Sequence, residues 1–209
     1  MMDMKTTKKY LIITAIIIVV ALIVIIGLSL RQSSQYKKAA TDMMVNSAII
    51  ELSTNSIIQD FSSNWYNAIF SNKAIDENGE ERYCSDFNDA IAWRIKSVDD
   101  TGFYDLLDSL SHQLSNDMNV MYHTPHKYKE IQKTFSDIFN NVNTLIEICK
   151  QPQGNLQDFN ERTNKLHMET ITLLKNASVL FPLDDSLYRS RAEVIFSPFV
   201  DKMNGNNTQ

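Results

Sequence analysis

The sequence predicts an all-α protein: an N-terminal transmembrane helix followed by an antiparallel, up-and-down four-helix bundle with a short fifth helix. Three observations carry this. Leu11 to Leu30, LIITAIIIVVALIVIIGLSL, holds twenty residues without a charge. The 209 residues include only 5 Gly and 4 Pro, and most of these sit where a helical pattern stops. Between the stops, apolar residues recur in steps of three and four, the spacing of one helix face.

The first element is the apolar run. At about 1.5 Å of rise per residue, a helix of this length covers roughly 30 Å, the thickness of a bilayer's hydrocarbon core. Fifteen of the twenty residues are Ile, Leu or Val. At roughly −0.3 to −0.6 kcal/mol each, they favour the bilayer by on the order of 5 to 9 kcal/mol. A cleaved signal peptide would share the basic residues ahead of the run (Lys5, Lys8, Lys9) and the small-x-small form of Gly27-Leu28-Ser29. Its apolar core is usually only about 7 to 15 residues long, so a retained signal-anchor is the better reading. A buried core helix would alternate apolar and polar faces, whereas this one is apolar all round.

Lys5, Lys8 and Lys9 nearly balance Arg31, Lys37 and Lys38 across the span. The short N-terminal tail is the natural end to stay in the cytoplasm, so a cytoplasmic N-terminus and an extracytoplasmic bundle are expected. The expected organisation is a tail over 1–10, a single span over 11–30, a bundle over 31–203 and a disordered tail over 204–209. With Lys5, Lys8, Lys9 and Asp3 set aside from the 20 basic and 25 acidic residues, the part beyond the span carries a net charge of about −7. That argues against a nucleic-acid or anionic-lipid surface, both of which call for clustered positive charge.

The first bundle helix is expected from about Ser34 to Asn72, with the seam Met43, Ser47, Ile50, Thr54, Ile57, Phe61, Trp65 and Ala68. Ser47 and Thr54 are its smaller members, where a neighbour approaches closely. Nothing between Leu30 and Tyr36 breaks a helix, so the membrane helix can run on into this one. Lys73 to Arg82 is acidic, contains Gly79 and lacks periodicity, which predicts a loop. The second helix starts near Ser85 as N-cap, buries Phe87, Ile91, Ile95 and Val98, breaks at Asp99–Gly102, and resumes with Phe103, Leu107, Leu110, Leu114, Met118 and Met121.

Thr124 as N-cap and Pro125 at the first helical position open the third helix. Its seam is Tyr128, Ile131, Phe135, Ile138, Val142, Leu145 and Cys149, widened by Phe139 and Ile146. The fourth, from about Asn155 to Leu180, has Leu156, Phe159, Thr163, Leu166, Thr170, Leu173, Ala177 and Leu180. Two coiled-coil-like helices joined by the tight Gln151–Gly154 connection are antiparallel neighbours. A fifth helix is expected over Asp185 to Ser197, before Pro198.

Cys84 and Cys149 suffice for one bridge outside the cytoplasm. A straight second helix would place them about 14 residues, roughly 21 Å, apart in level, beyond the roughly 7 Å limit for bridged Cα atoms. Only a sharp fold at Asp99–Gly102 would bring them together. Cys149 reads more simply as a small apolar residue on a seam.

Signatures of chemistry are sparse. His123-x-x-His126, with His112 and Asp117 nearby, has metal-ligand residue types but lacks the i, i+4 spacing of a preformed pair. His167 lies one position off the fourth seam, at a boundary. The Asp pairs at 99/100, 105/108 and 184/185 sit where helices begin and are accounted for by capping. Nucleophile-elbow, phosphate-loop and Glu-x-x-His patterns do not occur. No catalytic, cofactor-binding or metal residues are therefore assigned, no cofactor is expected, and an enzyme is not the expected class. The aromatics Trp65, Tyr66, Tyr83, Phe87, Trp93, Phe103 and Tyr104 concentrate around the far half of the first helix and the second. Trp93 and Tyr104 fall off the seams, so they are the candidate partner-binding residues.

In layout the chain is similar to bundle-type sensor ectodomains and to membrane-anchored helical proteins such as the LemA family, although it carries no motif of either. A sensor would need a second span to pass its signal inward, and no such stretch follows Leu30. The expected function is that of a single-pass, membrane-anchored interaction or scaffold module with a protein partner and no nucleic acid. The alternative is a bundle that binds a small ligand or metal between its helices.

Overall fold

The computed structural model describes residues 4–76, 79–122 and 125–181, with side chains from residue 26 onward except that of Lys127, and the single positions 186, 189, 190 and 193. It is a helical bundle organised around one helix, α1 (Met4–Ser71), 68 residues long and unbroken between Leu30 and Tyr36. Residues 11–25 of the apolar run lie among those whose side chains are not described. Among the described residues, no helix is long and apolar enough to cross a membrane.

Each of the other described α-helices packs on α1. Its buried surface is accordingly broader than a single seam. Met43, Ser47, Ile50, Thr54, Phe61, Trp65 and Ala68 are buried as expected, and Ala39, Ala40, Met44, Val45, Ile49 and Ile58 join them. Ile57 is only half-buried, because Ile58 takes the central place at that turn. The small seam residues do admit a neighbour: the Cys149 thiol donates to the Thr54 carbonyl at 3.5 Å. Buried threonines are satisfied within their own helices, with Thr54 Oγ1 donating to the Ile50 carbonyl at 2.6 Å and Thr170 Oγ1 to that of Leu166 at 2.7 Å.

The predicted loop over 73–82 is instead a small antiparallel hairpin, β1 (Lys73–Ile75) and β2 (Glu81–Tyr83), in which Lys73 faces Tyr83 and Ile75 faces Glu81. Three-residue strands are too short to leave a periodic signal. What makes the hairpin is local turn chemistry. Asn72 ends α1 at φ 53°, a left-handed conformation that asparagine tolerates. The Asp76 carboxylate then accepts from the Glu80 N–H at 2.7 Å, with Gly79 at φ 82°.

Helix α2 (Phe87–Asp100) begins one residue later than expected. Asp86 is the N-cap and accepts from the Asp89 N–H at 2.9 Å, while Asp89 reaches back to accept from the Ser85 N–H at 3.1 Å. The break at Asp99–Gly102 is present: Gly102 adopts φ 73° and α3 (Phe103–Tyr122) starts afresh. Cys84 and Cys149 are both free, buried in two separate apolar clusters, so the break does not bring them together.

His123 and Thr124, with the expected N-cap, lie outside the described residues. Pro125 precedes a 3-10 turn, His126–Tyr128, and α4 (Lys129–Lys150) follows, later than Pro125 alone suggested. Its seam is otherwise as expected, with Ile131, Phe135, Ile138, Val142, Leu145, Ile146 and Cys149 all buried. Asn155 caps α5 (Leu156–Leu180), accepting from the Asp158 N–H at 2.9 Å. Leu180, the expected last member of that seam, is exposed; Phe181 takes its place. The backbone leaves helical dihedrals at Phe181 (φ −128°, ψ 80°), which swings the ring inward against Tyr36, Tyr128 and Phe135. The expected fifth helix, over Asp185 to Ser197, lies outside the described residues apart from isolated positions.

Candidate interaction surface

The end of the bundle farthest from Leu30 carries the site, where α1 finishes, the hairpin folds back and α2 begins. A small secondary core, Ala68, Ala74, Cys84 and Ala90 with Trp93 against it, fixes the hairpin to the two helices. The small residues are the reason the hairpin can lie close. Polar bonds complete the attachment: the Ile75 N–H donates to Asn64 Oδ1 at 2.6 Å, and the Cys84 N–H donates to the Asn72 carbonyl at 2.9 Å. Asn64 is itself held, its amide donating to the carbonyl and the carboxylate of Asp60, both at 3.1 Å. Asp60 in turn accepts from Arg94 Nε at 2.9 Å. A chain of contacts therefore runs from α2 through α1 to the hairpin.

On this platform several aromatic side chains remain outside. Tyr66, Phe70 and Tyr83 are 55%, 68% and 74% exposed, and Ile69 is half open. Tyr66, Ile69 and Phe70 are neighbours by helical spacing, and the Tyr66 and Phe70 rings lie 4.5 Å apart. Phe87 is partly exposed and stacks on the buried Trp65 at 5.5 Å.

The two residues singled out from the sequence fare differently. Trp93 is half-buried at this end, with the guanidinium carbons of Arg82 and Arg94 at 5.9 and 5.6 Å from its ring. Tyr104 is not on the surface: it is buried, and its hydroxyl donates to the Cys149 carbonyl at 3.0 Å. Burial pushes its phenol well above the ordinary range. Falling off a seam read along one helix does not expose a residue when two further helices pack on the same turn. Sequence reading missed Asn64, Asp60 and Arg94, since polar residues give no seam. The i, i+4 spacing of Asp60 and Asn64 was the available signal.

Of the histidine constellation, His123 lies outside the described residues. His112 and His126 are exposed and Asp117 half-buried, and among the described residues no three of His, Cys, Asp and Glu converge. Both cysteines are sealed. Burial raises the thiol of Cys84, with the Asp89 carboxylate adding to the effect, and burial raises that of Cys149 as well. Neither thiol is expected to react with a thiol reagent in the native chain over minutes, and both are expected to react once it is unfolded. Thiol counting with and without denaturant checks this.

No protein-family model, curated protein or solved structure matches this chain.

Proposed function

We propose that this chain is a single-pass, membrane-anchored helical bundle acting as an interaction module, with its bundle extracytoplasmic and its N-terminal tail in the cytoplasm. The observation that supports this most directly is the continuity of α1. One unbroken helix joins the apolar run ending at Leu30 to the exposed Tyr66, Ile69 and Phe70. At about 1.5 Å per residue, that helix holds the aromatic cluster roughly 54 Å from the end of the run. Exposed aromatics on a rigid support provide large contact area at low entropic cost, the chemistry of a protein-binding surface. The grooves between α1 and α3 and between α4 and α5 are open to solvent and lined mainly by polar residues, so they give no specific support to a ligand-binding bundle.

The test has three parts. Alkaline carbonate should leave the full chain in the membrane pellet. On intact cells, a membrane-impermeant thiol reagent should label Ser34→Cys, which is exposed, whereas the neighbouring Ser33 is buried with its hydroxyl 3.4 Å from that of Tyr128. A photo-crosslinking residue at Phe70 should give a discrete adduct that Tyr66→Ser with Tyr83→Ser removes. The same residue at Leu52, exposed on α1 nearer the span, should give none. Extraction by carbonate would refute the anchor, and equal adducts from both positions would refute the surface.

A further inference from the structure

Halfway along the contact between α1 and α5 sits a buried ionisable pair outside the proposed surface. Glu51 is 3% exposed, and its Oε1 faces Nδ1 of His167, whose side chain is 20% exposed. Most of the hydroxyls around it are engaged elsewhere. Thr54 spends its own on the Ile50 and Glu51 carbonyls, and Thr163 and Thr170, flanking His167 on α5, bond to the carbonyls of Phe159 and Leu166. Ser47 Oγ, one turn before Glu51, makes no hydrogen bond among the described residues. Besides that hydroxyl, the imidazole facing Oε1 is the group left to compensate the carboxylate.

Other charges are distant or face solvent. On α1, Asp42 and Asp60 lie nine residues either side, about 13.5 Å by helical rise. On α5, Lys165 and Glu169 are exposed and pair with each other at 3.9 Å. On α4, Asp137 pairs with Lys133 and Glu147 is exposed; on α3, His112 is exposed and Asp108 pairs with Lys150; on α2, Arg94 is committed to Asp60.

We propose that Glu51 and His167 form a proton-holding clasp, so that the attachment of α5 to α1 loosens as the surrounding pH rises. With its proton on, the Glu51 carboxyl is neutral. Losing that proton seals a carboxylate between two helices, at a cost that burial makes large and the neighbouring imidazole only partly offsets. The consequence falls on α5 because its buried positions next to His167 are small, the large Phe159 packing on Trp65 about two turns away. Thr163, Thr170 and Ala177 bury far less apolar surface than Ile131, Phe135, Ile138 and Val142 do on α4.

The sign follows from the carboxyl. Burial raises the Glu51 carboxyl above its ordinary value, and the His167 charge and hydrogen bond only partly pull it back. The folded carboxyl therefore holds a proton that the unfolded carboxyl has lost. Stability from this site is full below the ordinary carboxylate range and declines as pH rises through the raised value.

The test is hydrogen exchange of the full chain in detergent micelles at pH 5 and pH 8, corrected for intrinsic rates, with α4 peptides as internal reference. Opening of α5 relative to α4 should increase about tenfold for each unit by which the carboxyl is raised. Glu51→Gln, which has no proton to lose, should change less than about twofold by the same relation. Parallel profiles for the wild type and Glu51→Gln, or equal rises in α4 and α5, would overturn the clasp. Should Glu51→Gln not fold, His167→Gln decides the matter. A shifted pH for α5 loosening supports the pair, and an unshifted one refutes it.

Discussion

Phe135→Ala is expected to lower the unfolding free energy of the bundle by about 3–5 kcal/mol, the range for a large aromatic removed from a core that cannot collapse. Phe135 is fully buried in the N-terminal third of the α4 seam. Its ring lies edge-on to Phe181 at 6.1 Å, which in turn meets Tyr36 and Tyr128, themselves stacked at 4.5 Å. These four rings come from α1, the 3-10 turn before α4, α4 itself and the residue closing α5. No single side chain can move to fill the gap without one of those elements shifting. Desolvation, with the neighbouring Tyr128 adding to it, pushes the Tyr36 phenol up to about 12. The Tyr36 hydroxyl is thus neutral across the ordinary range, and it should add no pH dependence to the cost there. Phe135→Leu, which keeps most of the volume, should cost less than about 1.5 kcal/mol. Urea unfolding of the full chain in micelles, followed by the fluorescence of Trp65 and Trp93, measures both, since both tryptophans report on the bundle alone. A Phe135→Ala loss under about 1 kcal/mol would mean that the site repacks.

That cluster also marks what a sequence can and cannot disclose. The seam from Ile131 to Cys149 was legible because α4 buries one stripe and its apolar residues repeat every three and four positions. The break at Gly102 was legible for a similar reason: a glycine stands where the pattern stops, and the chain there needs a positive φ. Phe181 was not legible, because it lies one residue past the seam and is brought inward by a non-helical backbone. Tyr104 was misplaced because amphipathic periodicity assumes one buried face, whereas α3 contributes to contacts with α1, α2 and α4. The hairpin was invisible for want of length. Its determinants are side-chain caps and small residues, Asp76, Gly79, Ala74 and Ala90, which act through the backbone and leave no hydrophobic signal. At the candidate surface, the concentration of aromatics was readable from the sequence. Which of them stay outside was decided by the packing of the hairpin.

The supports of that surface yield the second large effect, and it is asymmetric. In the Arg94–Asp60 pair the cation is the buried partner, its side chain 4% exposed against 29% for the carboxylate. Removing a partner costs most when the charge left behind cannot reach water. Asp60→Ala is therefore expected to cost about 3–5 kcal/mol, leaving a buried guanidinium without its carboxylate. Arg94→Met, which leaves a partly solvated carboxylate and keeps the apolar stem, should cost only about 1–2 kcal/mol. The double variant should be more stable than Asp60→Ala alone, a coupling that a double-mutant cycle measures directly. Asp60 also holds the Asn64 amide, whose oxygen anchors the Ile75 N–H of the hairpin. Asp60→Ala should therefore speed hydrogen exchange at Ile75 more than Arg94→Met does, and it should weaken crosslinking from Phe70 even where the bundle remains folded. Equal costs for the two single variants would show that the carboxylate's attachment to Asn64, rather than the burial of the cation, governs this end of the molecule.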